Sequence, residues 1–251
     1  FLMDSLRVFI GHDKREQTAY NVCKFSLERH SSIPLEIEPI SSSHPLYKRE
    51  WHLDGEQKID NIDGRPFSTD FAFARFLVPA VSGYNGWALF CDCDFLFRAD
   101  IAELLVHNDT SRALYCVHHN FWPNSPIKMD NKAQQPYYRK CWSSFALWNC
   151  GHPANRMYLT PDVVNKATGR TLHTFSWLED SLIGSLSEEW NWLGGHSSLD
   201  IVPKAIHYTE GGPWFPHRQN VHYALEWKEE LALYNASNQR EQEYGREEAR
   251  V

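Results

Sequence analysis

Two short apolar runs, Leu6–Ile10 (LRVFI) and Trp87–Cys91 (WALFC), each break off at a cluster of small and acidic residues. Five residues are too few for a helix, and a run without polar alternation reads as a strand buried on both faces. That condition belongs to α/β proteins with a mostly parallel sheet. In open sheets of this kind ligands dock outside the carboxyl ends of the strands. Gly11, His12, Asp13 and Arg15 follow the first run, and Asp92-Cys93-Asp94 follows the second. Asp13 with Glu16 forms a capping box, and Ala19, Val22, Cys23 and Leu27 recur at helical spacing, so a strand, a loop and a helix open the chain. No Gly-x-Gly-x-x-Gly is present, which removes the main support for a dinucleotide site.

The chain has 251 residues, 42% of them hydrophobic, enough for one generous α/β domain. That domain is expected over residues 1–225. Residues 226–251 hold seven Glu against Lys228, Arg240, Arg246 and Arg250 and read as a charged helix or tail. Residues 41–68, rich in Ser, His and Pro, read as an extended loop. Thr69–Val81 reads as an apolar helix carrying one cation, Arg75. Asp100–Leu105 is expected to be helical, and Arg112–Val117 and Ser144–Trp148 to be strands. Pro123, Pro126 and Pro136 mark a loop, and Thr160-Pro161 starts a short helix ended near Gly169. Ser176–Trp190 reads as a helix with a Ser176/Glu179 capping box and a stripe of Leu178, Leu182, Ile183 and Leu186.

A net charge of -7 argues against a broad nucleic-acid or anionic-membrane surface. No apolar run reaches the roughly 18 residues of a membrane span, and no secretory leader pattern is visible. Six cysteines without a Cys-x-x-Cys pair read as buried free thiols in a reducing compartment, the cytoplasm, free or at a membrane periphery. Cys91 and Cys93, the one close pair, are not expected to share a zinc. Two sequons, at Asn108 and Asn235, are expected by chance. Most of the ten Trp should be core, and His118-His119, lacking a third partner at ligand spacing, reads as structure.

With 14 Asp in the chain, about 0.8 Asp-x-Asp pairs are expected by chance, so position must carry the argument. A buried strand delivering Asp92 and Asp94 to its carboxyl end makes a hard-oxygen site for Mn²⁺ or Mg²⁺, which can neutralise a diphosphate. The two acidic neighbours Glu179 and Asp180 separate on a helical wheel. Glu179 lies toward the buried stripe and Asp180 away from it, which makes Asp180 the better candidate for a reactive face.

The segment FAFARFLVPAVSGYNGWALFCDCDFLFRADIAEL resembles the central block of glycosyltransferase family 8, retaining enzymes that include glycogenin and bacterial galactosyl- and glucosyltransferases. Arg75, Asp92, Asp94, Asp100 and Leu104 match it. FIGHDKREQTAY falls where that family binds its nucleotide, with Asp13 at the base-contacting position and Tyr20 a weaker match. SSFALWN, WLEDSLIG and KAIHYTEGGPWF fall where the later motifs lie. The resemblance implies a single GT-A-type domain, nucleotide-diphospho-sugar transferase-like, with a twisted, mostly parallel sheet and helices on both faces. It implies a metal-dependent retaining hexosyltransferase using a nucleotide-diphospho-sugar, UDP-linked, with a glycan, lipid-linked glycan or protein acceptor. On this resemblance Asp92, Asp94 and His207 hold the metal. Ile10, Gly11, Asp13, Arg15, Arg75, Cys91, Cys93, Gly211, Gly212 and Trp214 bind the donor, and Asp180 and Glu179 serve catalysis. The sequence departs from the family at Ser143-Ser144, at Glu179-Asp180, and at Gly212, where a phosphate-binding Lys is usual. Two alternatives stand beside it: a haloacid-dehalogenase-like phosphatase with Asp92 as nucleophile, and a non-catalytic carbohydrate-binding module using its aromatics.

Overall fold

The computed structural model describes residues 5–120 and 138–248. In chain order it contains β1 (Leu6–Gly11), α1 (Gln17–His30), β2 (Leu35–Ile40), β3 (Trp51–Asp54), β4 (Gln57–Asp60), β5 (Pro66–Phe67), α2 (Val78–Val81), β6 (Trp87–Cys91) and β7 (Phe95–Phe97). Then follow β8 (Leu114–Val117), β9 (Phe145–Asn149), α3 (Pro153–Tyr158), α4 (Pro161–Lys166), α5 (Gly169–His173), β10 (Ile183–Leu186), β11 (Trp192–Leu193), β12 (Ala205–His207) and α6 (Ala224–Glu248). Six strands form the central sheet in the order β10-β8-β9-β6-β1-β2. β9 alone runs antiparallel to its neighbours, so the sheet is mostly parallel.

Every residue of β8 and β9, and all but one of β1 and β6, is buried. Both faces of the sheet are therefore covered, which is why these strands carry unbroken apolar runs. Register then places the site. Ile10 pairs with Cys91 and Cys91 with Phe145, so β1 and β6 end, and β9 begins, at one edge. The chain after the second Asp continues into β7, which pairs with β12 in a separate sheet of order β11-β12-β7. Phe95 lies opposite His207 there.

The structure corrects several expectations. Residues 41–68 include a three-stranded antiparallel sheet, β3-β4-β5, turning at Gly55 with φ +59 after Asp54. Asp-Gly between two short runs is a hairpin signal that the polar composition outweighed. Thr69–Val81 is not one helix: turns lead into a 3₁₀ segment at Ala74–Leu77, and α2 restarts with Pro79 in its first turn, where a missing N–H costs nothing. Asp100 caps a 3₁₀ segment, Ile101–Val106; Thr160 caps α4 with Pro161 in its first turn as expected, but that helix ends at Lys166, and Gly169 opens α5 behind the cap Thr168.

The largest correction is Ser176–Trp190. It forms a 3₁₀ turn at Asp180–Leu182, the edge strand β10, and a second 3₁₀ turn at Glu188–Asn191. Its apolar residues fill the sheet edge beside β8, and a Cβ on Gly184 would sit 2.1 Å from the Tyr115 ring. Glu179 caps the first turn without a side-chain hydrogen bond, so neither the capping box nor the helical separation of Glu179 from Asp180 exists.

Helix α6 begins against the body of the protein. Trp227 is buried, Phe25 packs on Tyr234, and Arg29 holds Glu230 through two hydrogen bonds of 2.7 and 2.8 Å. No helix among the described residues is long and apolar enough to cross a membrane. All six cysteines are free and five are buried. The loop with Pro123, Pro126 and Pro136 lies outside the described residues.

Candidate functional site

Strand register brings Asp92, Asp94 and His207 together although the histidine lies over a hundred residues away in sequence. One ligand atom from each lies within 4.8 Å of the others. The Asp92 amide donates to the Ser144 carbonyl (2.9 Å) and the Tyr208 amide to the Asp94 carbonyl (2.9 Å), which ties both acidic residues to neighbouring segments. His207 is 2% exposed and stacks on Phe95 at 4.5 Å between ring centroids.

The tautomer of His207 follows from its partners. Ser144 Oγ donates to the Cys141 carbonyl (2.6 Å), and Asn191 Nδ2 donates to Ser144 Oγ (3.0 Å). Asn191 Oδ1 therefore faces His207 Nδ1 (2.9 Å) as an acceptor, and the proton sits on Nδ1. Nε2 lies 3.3 Å from Asp94 Oδ1. In the neutral ring it faces that oxygen as a second acceptor, an arrangement that a cation between them would relieve. An imidazole and two carboxylates, with a hydrogen bond fixing the outer nitrogen, form a donor set suited to Mn²⁺ or Mg²⁺.

Arg75 is drawn into this cluster rather than out to solvent. Its Nη1 lies 2.8 Å from Asp92 Oδ1 and donates to the Ser143 carbonyl (2.9 Å), and its guanidinium sits over Phe71 and Phe90. A buried cation on an apolar segment thus finds one carboxylate and one carbonyl.

Two cavities meet at the cluster. Ser68, Thr69, Asp92, His207 and Thr209 line both. The cavity on the β1 side adds Arg15, Glu16, Asp94, Gly211 and Phe215. The one on the β9 side adds Arg65, Arg75, Lys140, Ser143, Arg170 and His173. Gly211 has φ +92, a conformation glycine adopts freely. Gly11 leaves room for Phe71, whose ring would lie 2.5 Å from an added Cβ.

The remaining expected donor residues are placed less directly. Asp13 is buried and accepts from the Arg15 amide (3.0 Å), Arg15 Nε (3.0 Å), Arg15 Nη2 (2.7 Å) and the Asp70 amide (3.1 Å). Burial alone would raise its pKa, but these donors, Arg15 first, hold the carboxyl below its ordinary value. Ile10, Cys91 and Cys93 are fully buried and line neither cavity. Burial also pushes both thiols well up. Trp214 packs on Tyr208 and Trp227 and lines neither cavity, and Gly212 is required by that ring, 2.1 Å from an added Cβ. Glu179 and Asp180 are exposed and line neither cavity. Asp180, with its side chain 80% exposed, pairs with Arg139.

Sequence reasoning missed Asn191, His173 and Lys140. Ser143 Oγ and His173 Nδ1 lie 2.8 Å apart on the β9-side wall, 30 residues apart in sequence with no local signal to join them. His119 also lies close enough to feel His207. Burial, aided by His207, pushes its imidazole down to about 3. An unfolded histidine takes its proton near 6.5. Between those values the unfolded chain binds the extra proton, so stability present at neutral pH falls as pH drops below about 6.5, by up to about 1.4 kcal/mol per unit from this group. Urea midpoints between pH 7 and 5 should show this slope, and His119→Gln should flatten it. An equal slope in the variant would remove His119 as its source.

A scan against protein-family profiles matches none. Among curated proteins the chain is similar to Protein CDI of Arabidopsis thaliana, 46% identical over 244 residues that span 94% of this chain and 89% of that protein. Among solved structures it is similar to the WbbM bifunctional glycosyltransferase in its apo form, with TM-score 0.63, 16% identity and 92% of this chain covered. It is also similar to apo glycosyltransferase GlyE of Streptococcus pneumoniae TIGR4, with TM-score 0.59, 16% identity and 95% covered. The chain spans 50% of the first structure's length and 64% of the second's. Galactosyltransferase LgtC, solved with donor and acceptor sugar analogues, is similar over 90% of this chain and 95% of its own, with TM-score 0.56 and 13% identity. At such identities the likeness is one of fold, and the fold is that of GT-A glycosyltransferases.

Proposed function

Because the chain belongs to the family of Arabidopsis thaliana Protein CDI and has a GT-A fold, we propose that it is a metal-dependent glycosyltransferase of the family 8 type. It moves a hexose with retention from a nucleotide-diphospho-sugar, UDP-linked, to a glycan, lipid-linked glycan or protein. The observation that carries this reading is the Asp92, Asp94, His207 cluster at the junction of two cavities, at the edge where β1 and β6 end.

Asp92, Asp94 and His207 would hold Mn²⁺ or Mg²⁺. Bound there, the ion supplies positive charge that stabilises the departing diphosphate. Asn191 keeps the His207 lone pair on Nε2, and Arg75 fixes Asp92 while adding a cation to the β9-side wall. The nucleotide lies on the β1 side, beside Arg15 and Gly211, and the sugar on the β9 side, beside Ser143 and His173. Glu179 and Asp180 then act from outside the cavity, Asp180 by anchoring Arg139. The phosphatase alternative asks Asp92 to be a nucleophile, and its engagement with Arg75 in a three-residue ligand cluster disfavours that role.

Thermal unfolding with UDP, GDP and Mn²⁺ tests the reading. Ligand at about 100 times its dissociation constant adds roughly 2.7 kcal/mol of stability, which is several degrees for a protein of this size. UDP with Mn²⁺ should raise the midpoint, and either alone should do much less. No shift with any nucleotide and metal would remove the transferase reading.

A further inference from the structure

One face of the β3-β4-β5 sheet runs into the β9-side cavity. Alternate residues of a strand share a face, and the register pairs Trp51 with Asp60, Leu53 with Lys58 and Lys58 with Phe67, which sets these five on one side. Trp51 and Leu53 lie on the edge strand, 36% and 60% exposed. From Trp51, steps of 6.1 Å to the Phe67 ring and 5.0 Å from there to the Phe73 ring lead inward, and both phenylalanines line the cavity. An exposed indole thus continues the wall of the same cavity that Asp92 and His207 line.

The charged residues on this face are both met within the protein. Lys58 pairs with Asp70 while its ammonium lies over the Trp51 and Phe67 rings, 5.4 and 5.9 Å from their centroids, and Asp60 is held by Arg49. What remains on offer is apolar contact, which fits a neutral partner. Where the strip enters the cavity it meets Asp63, Ser68 and Thr69. An acyl chain gains nothing from such groups, whereas a sugar ring lays its C–H face on an aromatic and turns its hydroxyls to polar neighbours. The platform is also fixed in advance. Arg49 ties Asp60 of β4 to the Val164 and Ala167 carbonyls (3.1 and 2.7 Å), so little ordering is left for a ligand to impose.

We propose that this face is the outer part of the acceptor site, with Trp51 as its specificity-determining residue, and that the acceptor is a neutral glycan of several sugar units. Its reactive end enters the β9-side cavity while a preceding unit stacks on Trp51. Each ring-to-ring step is comparable with the width of one pyranose, so a monosaccharide held in the cavity does not also reach the indole. The inference rests on the transferase reading above and narrows its acceptor classes to a sugar chain.

The test uses the full chain with Mn²⁺ and UDP, as wild type, Trp51→Ala and Trp51→Phe, each checked for an unchanged unfolding midpoint. Affinities are measured by calorimetry for the methyl glycosides of glucose, galactose, mannose and xylose and for the matching linear tetrasaccharides. The tetrasaccharides are then offered as acceptors with UDP-glucose and UDP-galactose. A central aromatic contact corresponds to roughly tenfold in affinity or more. In at least one series the tetrasaccharide should bind roughly tenfold more tightly than its methyl glycoside and be elongated. Trp51→Ala should lose that advantage, as a rise in KM with kcat kept, and Trp51→Phe should keep most of it. Stabilisation by UDP with Mn²⁺ should be the same in all three proteins. Tetrasaccharides that bind wild type no better than their methyl glycosides overturn the inference, as does an advantage that survives in Trp51→Ala or a bound tetrasaccharide that is not elongated. Trp51-dependent flotation with phosphatidylcholine vesicles, without any glycan advantage, assigns the face to a membrane and also overturns it. Failure of wild type to bind UDP with Mn²⁺ is a separate result that removes the transferase reading and the acceptor role with it; Trp51-dependent tetrasaccharide binding would then belong to a carbohydrate-binding module.

Discussion

Asp94→Asn is expected, on the proposed transferase reading, to lower kcat/KM for nucleotide-sugar turnover by roughly 10³-fold or more and to abolish its dependence on Mn²⁺. Electrostatic stabilisation of a leaving diphosphate contributes several kcal/mol, at 1.36 kcal/mol per tenfold in rate. Asp94 Oδ1 lies 3.3 Å from His207 Nε2, so an amide in place of the carboxylate weakens the donor set with little change of volume. The effect should be graded. His207→Gln should fall in the same range, whereas Asn191→Leu, which frees the outer nitrogen and removes the donor to Ser144 Oγ but leaves all three ligands, should cost about 10–100-fold in metal affinity. Retention of more than a tenth of wild-type turnover by Asp94→Asn, with its Mn²⁺ dependence intact, would remove the carboxylate from the site.

The second large effect concerns stability. The side chains of Arg49 and Asp60 are each 1% exposed and meet through two contacts of 2.5 and 2.9 Å. Arg49 Nη1 also donates to the Val164 and Ala167 carbonyls (3.1 and 2.7 Å), and the guanidinium stacks over Phe73 at 3.9 Å. This pair fastens the β3-β4-β5 sheet to the end of α4 and to the cavity wall at Phe73. Asp60→Ala leaves a buried cation without its carboxylate and should cost about 3–5 kcal/mol, a drop of roughly 10 °C in the unfolding midpoint. The double variant Arg49→Met/Asp60→Leu should regain much of it, because desolvation of the pair offsets most of its attraction. A loss below 1 kcal/mol in Asp60→Ala would show that Arg49 finds adequate compensation in the two carbonyls.

What the sequence disclosed follows burial. β1 and β6 were legible because both faces are covered and their residues are apolar without alternation, and Asp92-x-Asp94 gained meaning from standing at the end of such a run. His207 entered only through a family resemblance, since the pairing of Phe95 with His207 is a long-range register that no local pattern encodes. β10 was misread because Leu178, Leu182, Ile183 and Leu186 fit a helical stripe, while the decisive fact, Gly184 against the Tyr115 ring, is tertiary. Asn191, His173 and Lys140 share that fate. Each acquires its role from a partner or a cavity wall assembled from distant segments. Arg75 shows the intermediate case: a cation on an apolar segment signals a partner without naming it.

The reversed direction of β9 divides the site into parts with unequal freedom to vary. On the proposed reading, segments leaving the sheet at β1 and β6 deliver the nucleotide loop and the two acidic ligands, and each begins at a rung of the ladder. The segment that carries Lys140 and Ser143 enters the sheet instead, and among its described residues just upstream of Phe145 no strand pairing is made. Insertions or exchanges there can alter which sugar or acceptor is admitted while the ion-binding geometry stays in register. A lineage built on this plan can diversify its specificity by rewriting one approach to the sheet, without re-evolving the chemistry at its edge.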